Sequence, residues 1–178
     1  MTANYIYTIA GNGTGGYVTD NVAATATPIY NPYSVSVDAA GNVYVADSSN
    51  QRIRFVPRVS GTYFEQPMTA NYIYTIAGNG TAGYQADNVA ATATRINTPR
   101  DVTLDVHGHI YIADTVNQRV RMIPKKSGTF FGQSMTANSI YTIAGNGTGG
   151  YISDNVAATI TRLSDIAGVS VDLGGNVY

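Results

Sequence analysis

Apolar and polar residues alternate with a period of two in several short segments of the chain, and turn-forming residues separate these segments. Ser34-Val35-Ser36-Val37 alternates in this way, and Val43-Tyr44-Val45-Ala46 follows after the turn residues 38–42. Arg52-Ile53-Arg54-Phe55-Val56 alternates charged and apolar side chains. Because successive side chains of a strand point to opposite faces, these segments predict three adjacent strands, the third with one solvent-facing side.

A fourth strand is predicted by the β-rich run Tyr5-Ile6-Tyr7-Thr8-Ile9-Ala10, which ends at the turn sequence Gly11-Asn12-Gly13. Long loops are predicted at 14–31 and 57–71. Alanines in the first loop allow a helical turn, whereas its threonines and Pro28 argue against a long helix. The pattern therefore predicts an all-β fold of short strands in meander order.

The segment from Met1 to Tyr17 is written three times, and it returns at 68–84 and 135–151 with one substitution in each copy. The offsets, 68 − 1 and 135 − 68, are both 67 residues. We therefore predict a single repeat domain over residues 1–178, with copies at 1–67, 68–134 and 135–178, the last of them partial. A fixed period of this length with four strands favours a β-propeller of four-stranded blades. At about 2.7 repeats the chain forms an incomplete ring, since a closed propeller has about four to eight blades.

Residues 32–54 carry a motif with a proline, a Val-x-Val-Asp strand, a Gly-Asn turn, a Tyr-Val-Ala-Asp strand and an Asn-x-Arg-Ile segment. This motif resembles the NHL repeat of β-propeller proteins. The second copy matches it at Val102, Asp105, Gly108, Tyr111, Ala113, Asp114, Asn117 and Arg119. Residues 77–84 are similar to the outer-strand ending of bacterial and teneurin-like NHL arrays. The resemblance implies a propeller fold, and it leaves function open, because NHL propellers include protein-binding scaffolds, RNA-binding domains and a few lyases.

The third copy and the strand entries depart from the NHL pattern. Ile166 stands where the other copies have a proline, and the usual glycine before the first strand is replaced by Ser34 and Asp101 and survives only as Gly168. Since these positions lead into the innermost strand, the departures concentrate at one end of the blades.

Composition excludes several partners and leaves the compartment open. Charged residues make up 12% of the chain and the net charge is −1, so no basic field is present to attract nucleic acid or an anionic membrane surface. The chain has no cysteine, which removes disulfides and thiolate metal sites. A signal peptide would show a charged segment followed by an apolar one, whereas the sequence at Met1 opens a repeat copy, so we predict no signal peptide there. Low charge with much Thr, Asn and Tyr favours an extracellular or cell-surface bacterial protein.

Recurring acidic residues and a histidine pair are the candidates for chemistry. Asp38, Asp105 and Asp172 end the first strand of each copy, and Asp47 and Asp114 end the second. Because they recur with the period, we interpret them as acceptors for backbone N–H groups in their own turns. The only histidines, His107 and His109, flank Gly108, and two ligands without a third do not make a metal site. We therefore predict no catalytic residue, no metal and no cofactor.

Basic residues of the third strands and the loops entering the first strands are candidates for binding. Arg52, Arg54, Arg119 and Arg121 would suit an RNA-facing strip, but neutral net charge favours a solvated strand face. The copies differ most at 28–34, 95–101 and 162–168, which in a propeller lie near the channel mouth. The resulting candidate ligand-binding residues are Tyr30, Tyr33, Arg95, Arg100, Asp101, Arg162 and Asp165.

These observations predict a non-enzymatic scaffold or interaction module that binds a protein or a glycan at the loop face. Open blade edges are templates for association, so the partner expected first is another copy of the chain, most simply in a six-bladed homodimer. The absence of a third strand after Tyr178 is awkward for such a ring, and a piece of a longer array stays an alternative. A propeller lyase, which would need an asymmetric cluster of His, Tyr, Arg and perhaps a metal, and an engineered fragment are the others.

Overall fold

A computed structural model describes residues 4–178, so the first three residues of the first repeat copy lie outside it. The first 77 residues contribute seven strands: β1 (Val22–Ala23), β2 (Pro32–Val37), β3 (Val43–Asp47), β4 (Arg52–Val56), β5 (Gly61–Tyr63), β6 (Gln66–Met68) and β7 (Tyr72–Ala77). Seven more follow with the same spacing: β8 (Val89–Ala90), β9 (Pro99–Leu104), β10 (Ile110–Asp114), β11 (Arg119–Ile123), β12 (Gly128–Phe130), β13 (Gln133–Met135) and β14 (Ser139–Ala144). Helical structure in the described residues is limited to 3₁₀ turns at Ala24–Ala26, Ser48–Asn50 and Ala158–Ile160.

The strands form two equivalent antiparallel sheets. The first sheet has the order β1-β7-β4-β3-β2 and the second has the order β8-β14-β11-β10-β9. The period-two alternation sets the register, in which Val35 faces Val45 and Val45 faces Arg54 across the sheet. The predicted strands at 34–37, 43–46 and 52–56 and the four-stranded meander are confirmed, and the fold is all-β and propeller-like.

The long loops contain more structure than the sequence predicted. The loop before the fourth strand folds into a small hairpin, β5 with β6 in the first copy and β12 with β13 in the second. The loop after the fourth strand adds a two-residue strand, because Val22 and Ala23 pair with the outer edge of β7 at Ile73 and Tyr72. Each sheet is thereby protected at its outer edge by a fifth strand that is too short to show alternation.

The core lies between the sheets. Side chains of β3, β4 and β7 pack against side chains of β9, β10 and β11 in a cluster that includes Tyr44, Phe55, Val102, Ile110 and Ile112. A second cluster covers the other side of the second sheet and contains Met122, Tyr141 and Val169. Val169 belongs to the partial third copy. Because it packs on the second sheet, the three copies are stacked in chain order.

Two predicted strands do not form as predicted. Residues 5–10 have no strand assignment, although the same sequence forms β7 in the next copy because β4 supplies a ladder there. The described residues contain no counterpart of β4 that precedes this run. In the third copy the inner strand is reduced to one bridge between Val171 and Val177, with two hydrogen bonds between Ser170 and Tyr178. A regular strand requires a neighbouring strand that continues the ladder, and within the described residues neither stretch forms such a ladder.

The prediction of a solvent-facing side on the third strand is wrong. Arg54 and Arg121 are both fully buried, each paired with aspartates from two other segments. The alternation correctly indicates a strand, but its buried arginines face loop residues 17–20 and 84–87 and not water. Over residues 4–178 no helix has the length and apolar character required to cross a membrane.

Candidate functional site

The loops that lead into the innermost strands share one backbone conformation. Asn31, Thr98 and Asp165 occupy the same position of successive copies, and their φ angles are +48°, +50° and +48°. The Gln51 side-chain oxygen accepts the N–H of Thr98 at 2.6 Å, and that of Gln118 accepts the N–H of Asp165 at 3.1 Å. Each loop is thus positioned by the blade before it.

A carboxylate from the second strand holds the same loops from inside the blade. The Asp47 carboxylate accepts the N–H of Tyr30 at 2.9 Å, and the Asp114 carboxylate accepts the N–H of Asn97 at 2.7 Å. These aspartates were predicted to satisfy their own turns, and that interpretation is wrong for them, because their backbone partners lie 17 residues earlier in the chain. It agrees with the structure for Asp38, whose carboxylate accepts the N–H groups of Ala40 and Asn42.

Three of the seven candidate binding residues meet across consecutive copies. The guanidinium of Arg100 lies 5.5 Å from the ring centroid of Tyr33, and its nitrogen lies 3.8 Å from the Asp165 carboxylate. The Asp165 side chain is 84% exposed and that of Arg100 is 31% exposed. We call these three side chains the entry-loop surface, a continuous row that presents an aromatic ring and charges of both signs to solvent.

The other four candidates do not join this row. Tyr30 lies beside Gly15 and lines an open cleft of about 810 Å³. The aliphatic parts of Arg95 and Arg162 lie beside the outer-strand turns at Gly83 and Gly150. The Asp101 carboxylate accepts the N–H of Val169 at 2.9 Å, so it links the second blade to the third copy.

The buried arginines form two equivalent ion clusters that sequence reasoning missed. The Arg54 guanidinium lies 2.9 Å from Asp20 and 3.2 Å from Asp47, and the Arg121 guanidinium lies 2.9 Å from Asp87 and 3.2 Å from Asp114. Burial raises the pKa of Asp114, against the lowering effects of the Asn117 side chain and the Arg121 charge. The recurrence of these acids and arginines at the 67-residue period was the available signal, because buried charges need fixed partners.

Tyrosines close these clusters from outside. The ring of Tyr17 lies under the guanidinium of Arg52 at 3.7 Å and that of Arg54 at 5.0 Å. Tyr84 stacks in the same way on Arg119 at 3.9 Å and on Arg121 at 5.0 Å. The third-strand arginines therefore contribute to packing within the protein.

His109 occupies a structural position in its turn. Its Nδ1 accepts the backbone N–H of Lys125 at 3.0 Å, as the Asn42 side-chain oxygen accepts that of Arg58 at 2.9 Å in the first copy. Burial lowers the pKa of His109, against the raising effect of the Asp105 carboxylate. Among the described residues, no group of three or more His, Cys, Asp or Glu side chains is placed to hold a metal.

A further cleft, which the sequence did not indicate, lies between the two sheets at the other end of β2 and β9. It has a volume of about 670 Å³ and is lined by Tyr63, Phe64, His107 and Lys125 among others. Its residues come from turns that are distant in sequence, so no local motif marks it.

Comparison with known proteins identifies the family of this chain. Residues 10–124, which are more than half of the chain, match a family model described as the Teneurin NHL domain. The chain belongs to the Teneurin NHL domain family. The relative Teneurin-m of Drosophila melanogaster is 30% identical over 113 residues, which cover 58% of this chain and 4% of Teneurin-m. The family assignment confirms the predicted NHL-type propeller and suggests an interaction module. The chain spans only a small part of that relative's length.

Solved structures agree on the fold. An auxiliary nutrient binding protein from Bacteroides thetaiotaomicron superimposes with a TM-score of 0.54 at 17% identity, over 78% of this chain and 32% of the other. A candidate phosphatase from the same organism superimposes with a TM-score of 0.56 at 16% identity, over 86% of this chain and 35% of the other. At these identities the likeness concerns the fold and transfers no activity.

Proposed function

We propose that the chain is a non-enzymatic NHL β-propeller module that binds a protein ligand at the entry-loop surface, within a ring completed by several chains. The observation that carries the proposal is the row of Tyr33, Arg100 and Asp165, in which three successive copies contribute adjacent side chains. Tyr and Arg are enriched among the residues that dominate the binding energy of protein interfaces. Tyr buries a large area with only two side-chain torsions, and Arg offers a planar guanidinium with five N–H donors.

The arrangement favours a protein over a glycan. The Tyr33 ring is 60% exposed and is held by the Arg100 guanidinium, so its free face is available for stacking. Asp165 adds an exposed negative charge beside a positive one. A pair of opposite charges next to an aromatic ring is complementary to a peptide surface, whereas a neutral glycan would leave both charges without partners on the ligand.

Arrays of 12-residue peptides and of neutral and acidic glycans test this proposal. The variants are Tyr33→Ala and Arg100→Ala, and the matched control is Arg58→Ala, an exposed arginine beside the turn at Gly41. We expect peptides to bind the wild type, and each test variant to lose roughly 30-fold in affinity, because truncating an interface anchor costs about 2 kcal/mol. The control should bind like the wild type.

Two outcomes would reject the proposal. Absence of peptide binding by the wild type is one, and peptide binding that Arg100→Ala leaves unchanged is the other. Glycan binding that depends on Tyr33 and Arg100 would show that the ligand is a glycan and not a protein.

A further inference from the structure

On one side, the innermost strand of the first sheet is open, and the equivalent strand of the second sheet is covered. Val35 on β2 is 63% exposed, whereas Val102 at the same position of β9 is 0% exposed and Val169 in the third copy is 5% exposed. Val37, two residues further along β2, is 61% exposed. We call these two side chains the open face. Because the repeat position is the same, the difference reflects whether a neighbouring inner strand among residues 4–178 covers the side chain and not a difference in strand chemistry.

Strand β2, which covers Val102, makes two side-chain hydrogen bonds to the Val102 backbone. Ser34 Oγ accepts the N–H of Val102 at 3.1 Å, and Ser36 Oγ donates to its carbonyl oxygen at 2.7 Å. The next junction uses the same strategy, because Asp101 accepts the N–H of Val169 at 2.9 Å. Side chains of one inner strand therefore bond to the backbone of the next inner strand, through two serines at the first junction and one aspartate at the second.

A second hydrogen bond recurs at both junctions. The hydroxyl of Ser48 donates to the Pro99 carbonyl oxygen, and that of Thr115 donates to the Ile166 carbonyl oxygen at 2.7 Å. Together with the glutamine contacts to Thr98 and Asp165, these bonds define a junction whose geometry the chain builds twice.

The third copy presents the donor side of such a junction to solvent. Val169 and Val171 point into the core against the second sheet, so the alternate residues Gly168 and Ser170 lie on the opposite side, where both are exposed. Ser170 occupies the repeat position of Ser36. Gly168 occupies the position of Ser34 and Asp101, so a junction here would retain the hydroxyl bond to a carbonyl and lack the acceptor for the N–H.

We propose that the open face is occupied by the third-copy inner strand of a second copy of this chain, with Ser170 donating to the Val35 carbonyl oxygen. This inference rests on the ring assembly in the proposed function and names the surfaces that close it. The pairing is head to tail, and two such contacts between two chains close a ring. Two full sheets from each chain and one shared sheet at each contact give six blades.

The test is the solution mass by light scattering after size exclusion, over a dilution series. We expect one species at twice the chain mass of 18.8 kDa. Val35→Asp should shift it to the monomer mass, because a carboxylate would be buried without a partner in the junction. The matched control is Val59→Asp, since Val59 is also 63% exposed and lies outside the open face. A monomeric wild type, a ladder of sizes, or a dimer that Val35→Asp leaves intact would overturn the proposal.

A cysteine pair gives an independent readout, since the chain has no native cysteine. In the double variant Val35→Cys with Ser170→Cys, oxidation should produce a covalent dimer on a non-reducing gel. Ser36→Cys with Val102→Cys is the positive control, because these residues meet within one chain and should cross-link without a change of mass. Absence of the covalent dimer while the control pair closes would contradict the head-to-tail contact.

The experiments distinguish a failure of the ligand proposal from a failure of the assembly proposal. Arg100→Ala should weaken peptide binding without changing the mass of the assembly. A dimer that binds no peptide would reject the ligand proposal alone, and peptide binding by a monomeric wild type would reject the ring and its junction while leaving the ligand proposal intact.

Discussion

Replacing Arg121 by methionine tests the buried ion cluster of the second blade. Arg121 and Asp114 are both 0% exposed and lie 3.2 Å apart, and the other partner, Asp87, is 32% exposed. Methionine keeps much of the side-chain volume and removes the charge. Because Asp114 would then be a buried carboxylate without its cation, we expect a loss of about 3–5 kcal/mol in the free energy of unfolding.

The loss should be recovered in part when the orphaned charge is also removed. Asp114→Asn keeps an oxygen to accept the N–H of Asn97 and carries no charge. We therefore expect the double variant Asp114→Asn with Arg121→Met to be more stable than Arg121→Met alone. The comparison separates the cost of an unpaired charge from the cost of lost packing.

Urea unfolding followed by far-UV circular dichroism gives the free energies, with the slope checked for changes in the unfolded state. Arg119→Met is the control on the same strand, and its half-buried guanidinium stacked on Tyr84 is expected to contribute about 1 kcal/mol. Without the Arg121 charge, the pKa of Asp114 should rise further. The stability loss of Arg121→Met should therefore shrink as the pH falls, because a protonated Asp114 needs no cation. An Arg121→Met variant within about 1 kcal/mol of the wild type would refute the assigned role of the cluster.

Two further predictions follow from turns that recur with the period. The fold favours neutral His109, whose pKa is lowered, so its contribution is present above the unfolded pKa of about 6.5 and is lost as the pH falls. His109→Asn, which copies Asn42, should therefore flatten the fall in melting temperature between pH 7 and pH 5, and equal acid sensitivity in both proteins would contradict this. Gly78 has a φ of +80° and an added Cβ would collide with the Gln51 carbonyl oxygen, whereas Gly13 has a φ of +85° and open space. Gly78→Ala should cost on the order of 3–4 kcal/mol in urea unfolding and Gly13→Ala about 1–2 kcal/mol, and similar losses at both sites would be inconsistent with the collision.

Particular residues show where sequence reasoning worked. Alternation at 34–37 and 43–46 identified strands because a half-buried pleated surface requires a period of two. The 67-residue period identified the architecture, since copies of one sequence fold into equivalent units that pack on their neighbours. Differences between copies selected the entry loops as candidate binding sites, which stays a prediction, and three of their residues lie close together in the structure.

The same reasoning failed where a residue's surroundings come from segments that are distant in the chain or belong to another copy. Alternation at Arg52 and Arg54 says that two arginines share a face, and it does not say what covers that face. Asp20 and Asp47 reach Arg54 from positions 34 and 7 residues away, and Gln51 reaches Thr98 from 47 residues away. Side chains that meet through the stacking of blades leave no local pattern.

The sequence by itself determined the strand order within a blade, the repeat and the family, because these follow from local alternation and from a period that is visible in the letters. Only the tertiary structure decided which polar residues are buried, which loop residues meet and which blade face is open. The physical reason is that burial depends on neighbours brought together by stacking. Val35 and Val102 carry the same side chain at the same repeat position, and the blade beside them makes one a surface residue and the other a core residue.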